Sequence, residues 1–116
     1  MARELNTLEF LQNWYRTNCD GEWEKVKGIT IETMETPGWH VTIDLAETPL
    51  SGAGMRPVKN ERGPSDWIDC RVEHDKYVGM GDAGKLPAIL QTFEKFAKRT
   101  KTDTAGDLRQ GDAPGS

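Results

Sequence analysis

Two short runs of alternating side chains, separated by a turn, constrain this chain more than any other feature. In residues 28 to 34, Ile29, Ile31 and Thr33 fall on one side and Thr30, Glu32 and Met34 on the other. After Thr36-Pro37-Gly38 the alternation resumes over residues 39 to 45. Trp39, Val41, Ile43 and Leu45 take one side; His40, Thr42 and Asp44 take the other. A period of two marks a half-buried strand, and Pro-Gly between two such runs is turn chemistry. The segment therefore predicts an antiparallel hairpin with its apolar side inward.

The flanking sequence supplies the layer that such a hairpin needs. Asn6 with Glu9 reads as a helix-capping box, followed by an apolar stripe at Leu8, Leu11 and Tyr15 and an adjoining one at Phe10 and Trp14, until Asp20-Gly21 ends the helix. Residues 66 to 72 alternate Ile68, Cys70 and Val72 against Trp67, Asp69 and Arg71. Glu73-His74-Asp75-Lys76 then turns the chain into a last strand at 77 to 80, weakened by Gly79. Residues 46 to 65 are rich in Pro and Gly and read mostly as loop, with Met55 to Glu61 an edge strand interrupted by Pro57. A second helix starts around Gly84-Lys85 and carries Leu86, Ile89, Leu90, Phe93 and Phe96 at helical spacing. The expected fold is α+β: an antiparallel sheet of four to five strands, with an N-terminal and a C-terminal helix packed on one face. Residues 1–99 form a single domain, and 100–116, nearly devoid of apolar residues, a disordered tail.

A chain of 116 residues supports one modest core. Its net charge of −4 argues against direct nucleic-acid binding, which calls for a basic patch, and leans toward a basic protein partner. No long apolar run suggests a membrane span, and no apolar N-terminal segment suggests export. Cys19 and Cys70 read as reduced thiols, consistent with a cytoplasmic location. Nothing in the sequence sets the oligomeric state.

Three of the four tryptophans fall between residues 14 and 39, among acids and turn-forming glycines. Trp14-Tyr15, Cys19-Asp20-Gly21-Glu22-Trp23-Glu24, Gly28-Ile29-Thr30-Ile31-Glu32-Thr33, Pro37-Gly38-Trp39 and Ile43-Asp44-Leu45 together resemble the immunity-protein 53 family of bacterial polymorphic toxin systems. Asp66-Trp67-Ile68, a strand, a glycine-rich turn and a closing helix continue the family's order, so the resemblance spans roughly residues 5 to 99. It departs at Lys25, where the family often has histidine, and at Glu35-Thr36, where it often has Asp-Asn. The resemblance implies an antidote that binds a cognate toxin domain and blocks it. It supplies neither the toxin's identity nor the contact residues.

Two surfaces are candidates for that contact. With both helices on one side of the sheet, Thr30, Glu32, Thr42, Asp44, Trp67, Asp69, Arg71 and Tyr77 would project from the other. An exposed Trp among carboxylates can anchor a partner; the plainer alternative is an ordinary solvated face. Asp20, Glu22 and Glu24 form an acidic segment that could imitate a nuclease's phosphates, although acids near turns are mostly solubility devices.

Competing chemistry finds less support. Cys19 follows a helix and sits beside acids, which oppose the thiolate that a cysteine-dependent transferase needs. Two histidines and two cysteines lack any short metal-ligand pair, and no cofactor is expected. Gly79 to Gly84 lacks the Lys-Ser/Thr pair of a phosphate-binding loop and reads as a connector. A small adaptor using the same sheet face remains the main alternative to an antidote.

Overall fold

The computed structural model describes residues 2–110, and it is an α+β domain. Helix α1 (Ala2–Asn18) is followed by a one-turn helix α2 (Trp23–Val26). Strands β1 (Ile29–Met34), β2 (Gly38–Asp44), β3 (Val58–Gly63), β4 (Asp66–Glu73) and β5 (Lys76–Gly81) then precede helix α3 (Leu86–Gln110). The five strands form one antiparallel sheet in the order β1-β2-β5-β4-β3. The expected hairpin is β1–β2, paired from Ile29↔Ile43 to Met34↔Gly38. Pro57 stands just outside β3, an edge strand whose pairing with β4 shifts between Glu61 and Gly63. A proline there interrupts no ladder hydrogen bond.

Helix α3 lies across β5 and β4, and α1 packs against α3. Val41, Ile43 and Leu45 are fully buried beneath them, as the alternation predicts, with Cys70, Tyr77, Ile89, Phe93 and Phe96. At Gly79 the helix comes so close that an added Cβ would lie 2.5 Å from Ile89 Cγ2. The Tyr77 hydroxyl donates a 2.7 Å hydrogen bond to the Ile89 carbonyl at the same place. Gly79 thus gives up strand propensity for a helix–sheet contact no side chain would permit.

Three expectations are revised. Tyr77 faces the helices and not the open side. His74 and Asp75, with φ of 54° and 59°, form a two-residue left-handed turn that pairs Glu73 with Lys76 and starts β5 one residue early. Lys76, Val78 and Met80 are therefore the outward residues of β5. The capping box at Asn6 does not form, because α1 already begins at Ala2. The buried stripe of α1 runs through Thr7, Leu11 and Trp14, leaving Leu8 and Tyr15 exposed. Its direction is set by α3: the Thr7 hydroxyl donates to Glu94, while Phe10 and Trp14 place their rings 6.2 and 5.1 Å from Phe93.

The long connection from β2 to β3 is also tied down. Thr48 and Leu50 are buried, and the Asp75 carboxylate accepts bonds from the Ser51 hydroxyl and the Gly52 N–H. Helix α3 continues to Gln110, so the backbone of 100–110 is helical where composition reads as tail. The remainder of that tail, 111–116, lies outside the described residues.

Gly79→Ala should lower unfolding free energy by about 1–3 kcal/mol through overpacking against Ile89. Urea denaturation measures this; an unchanged midpoint would mean that α3 does not need its close seat on β5.

Candidate protein-binding face

The side of the sheet away from α1 and α3 forms an ordered array. One cross-strand row reads Thr30, Thr42, Val78, Arg71, and the next reads Glu32, His40, Met80, Asp69, Lys59. Trp67 stands opposite Glu61 at one end, and Lys76 sits between Asp44 and Glu73 at the other. The centre is apolar at Val78 and Met80, and Trp67 flanks it; each of the three is half-buried.

Charges around this centre are paired laterally. His40 Nδ1 lies 3.1 Å from Glu32 Oε2, and Lys76 Nζ lies 3.6 Å from Asp44 Oδ1. Asp44 also accepts the Gly28 N–H through its other oxygen. Arg71 grips Asp69 in a fork, with Nε 3.2 Å from Oδ1 and a terminal nitrogen 2.6 Å from Oδ2; its other arm is 3.7 Å from Glu73. The Asp69 carboxylate raises the Arg71 pKa above its ordinary value. A two-point fork holds a guanidinium in one plane, so Arg71 is presented in a defined orientation. Glu32, Asp44, Glu61, Asp69 and Glu73 outnumber Lys59, Arg71 and Lys76, leaving the face acidic.

Asp82 sets the end of the face where Trp67 stands. Its Oδ2 accepts the Trp67 backbone N–H at 2.8 Å and the Lys85 ammonium at 2.7 Å, while Oδ1 accepts the Gly84 backbone N–H at 2.8 Å. Lys85 bonds Asp66 as well. These donors stabilise the charged carboxylate, the Lys85 bond foremost, and depress its pKa to about 2. The glycine-rich connector is thus closed by its own carboxylate.

The acidic segment lies elsewhere, on the helical side, because α2 packs Trp23 against Trp14 and Tyr15 at 5.8 Å. Asp20 Oδ1 accepts the N–H groups of Glu22 and Trp23, and Glu24 returns bonds to the N–H groups of Asp20 and Gly21. This reciprocal capping, which lowers the Asp20 pKa, occupies both carboxylates with their own turn. Glu22 projects into solvent. Of the sequence candidates, the fold gathers Glu32, Asp44, Trp67, Asp69 and Arg71 on one face and places Asp20, Glu22 and Glu24 apart from it. Val78 and Met80 were missed. The His74-Asp75 pair was the available signal, since read as a two-residue turn it moves the strand's phase by one.

Both cysteines are free thiols. Cys70 is buried among helix-facing residues, and burial pushes its pKa up. His40 lies on the opposite side of the sheet, bonded to Glu32. A groove of about 470 Å³ between α1 and α3 is lined by polar side chains, among them Thr7 and Lys98, which bond the two oxygens of Glu94. Among the described residues, no group of three or more His, Cys, Asp or Glu could hold a metal ion, and no helix is long and apolar enough to cross a membrane.

The domain thus has one face of its sheet packed by helices and the other open and lined by laterally paired side chains. Comparison with family models gives a match to immunity protein 53 over residues 8–98, and the chain belongs to that family. Comparisons with curated proteins and with solved structures returned no match.

Asp82 carries a pH signature. Its folded pKa is below the ordinary 3.8, so its contribution is complete above that value and is lost as pH falls toward about 2. Asp82→Asn should be less stable than the wild type at neutral pH and lose less stability between pH 4 and 2. Thermal melts across that range test it; parallel acid limbs would remove Asp82 from its clamping role.

Proposed function

We propose that this chain is an antidote that binds a cognate bacterial toxin directly and inhibits it stoichiometrically, without chemistry of its own. The family match supports an immunity function, and the open face is the surface that carries the contact in this reading. Trp67, Val78 and Met80 supply an apolar anchor region, while the surrounding carboxylates meet lysines and arginines of the toxin. Buried aromatic anchors inside a charged rim are how small interfaces gain affinity. A basic rim is what an enzyme acting on a phosphate backbone carries, so a nuclease toxin fits the acidic face. The setting is the cytoplasm of the producing cell, where free thiols persist.

The test is co-expression with the protein encoded beside this one, scoring cell survival and co-purification. Rescue with a stable complex is expected. Trp67→Ala and Met80→Asp should each weaken binding at least about tenfold with far-UV circular dichroism unchanged. Glu22→Lys should leave affinity within about twofold, as expected away from an interface. Full affinity in both face variants, with loss in Glu22→Lys, would move the contact to the acidic turn.

A further inference from the structure

The two edges of the sheet are protected very differently. Strand β3 is fenced by Pro57, carries Lys59, Glu61 and Arg62, and is bent by its register shift. These are the devices by which proteins keep edges from pairing. Strand β1 has none of them. Its sequence Ile29-Thr30-Ile31-Glu32-Thr33-Met34 is rich in β-branched residues and holds no proline, lysine or arginine. Its one charge, Glu32, is engaged by His40. Ile31 is 42% exposed on the helix side of the sheet.

Hydrogen-bond parity defines which backbone groups are available. Asp44 donates to the Gly28 carbonyl at 3.0 Å, so Gly28 and Asp44 are opposed at a hydrogen-bonded position. Such positions alternate along an antiparallel pair. Thr30, Glu32 and Met34 therefore direct their N–H and C=O groups toward β2, while Ile29, Ile31 and Thr33 direct theirs outward.

From this parity we propose that β1 pairs antiparallel with β1 of a second copy of this chain, about a two-fold axis at Ile31. Centred there, Ile31 meets Ile31 of the partner and Ile29 meets Thr33, so every outward N–H and C=O of the three residues is satisfied. Side chains agree with the same register. The two half-exposed isoleucines cover each other, Thr30 opposes Glu32, and Lys27 is brought toward Glu35 of the other copy at both ends. Centring one position later, at Glu32, leaves fewer outward groups paired and opposes Glu32 to itself, which repels. The axis is perpendicular to the sheet, so the dimer is a continuous ten-stranded sheet with both open faces on one side and all helices on the other.

A single strand pair covers less than the roughly 1,200 Å² of a stable interface, so association is concentration-dependent. The test is light scattering with size-exclusion chromatography from about 1 to about 500 µM, a range that brackets micromolar dimers. Mass should rise from 13.0 kDa toward twice that value. Ile31→Lys, and independently Thr33→Pro, which removes an outward donor and no β1–β2 bond, should hold the chain monomeric with circular dichroism unchanged. Val58→Lys on β3 should not. Lys27→Glu should weaken the dimer about tenfold or less, and Lys27→Glu with Glu35→Lys should restore it, as for opposed surface charges. A wild type monomeric throughout overturns the proposal, including the case in which Ile31→Lys abolishes toxin binding and the edge serves the toxin instead. A dimer that survives both β1 variants overturns it equally. Dimerisation and toxin binding are read separately, so failure of one leaves the other standing.

Discussion

The seat of α3 on β5 is the contact on which the rest of the fold depends. At Gly79 the strand has no side chain, and the helix descends until Ile89 fills the space a Cβ would take. Beside it the Tyr77 hydroxyl is bonded to the Ile89 carbonyl, which burial alone would leave costly to place. One turn farther along, Phe93 meets Tyr77, Phe96, Phe10 and Trp14 with ring centroids 5.1 to 6.3 Å apart. The sheet, α3, α1 and, through Trp14, Trp23 are thereby joined in one aromatic chain. Displacing the helix would disturb every member of it.

That packing on one side determines what the other side can be. Helices cover the central strands from a single face, and the two-residue turn at His74-Asp75 puts Tyr77 under them and Val78 and Met80 above. On the open face, lateral ion pairs tie neighbouring side chains to one another. Surface pairs contribute little stability individually, yet a forked Asp69–Arg71 contact does limit rotamers. Order gained before binding reduces the entropy lost on binding, which suits the proposed contact with a toxin.

Much of this was legible in the chain. Strong alternation over 28 to 45 and 66 to 72 located three strands and their inward residues, because burial on one face imposes a period of two. The helical spacing from Leu86 to Phe96 located α3. What escaped depended on neighbours distant in sequence. The buried stripe of α1 was misplaced by a fraction of a turn, since α3, not periodicity, decides whether Leu8 or Thr7 faces inward. Asp20 and Glu24 read as free acids, but their carboxylates close a turn whose geometry exists only once Trp23 is buried.

By itself the sequence determined the hairpin with its inward residues, the two long helices' presence and the family, because local periodicity, turn chemistry and residue spacing carry that information directly. Tertiary structure alone decided which side of β5 faces out, that the backbone at Trp67 is tied to the Asp82 carboxylate, and that β1 and not β3 is the unguarded edge. These properties arise from strand order and from contacts between residues far apart in the chain. No local pattern records which strand ends up beside which, nor which of them is left without a neighbour.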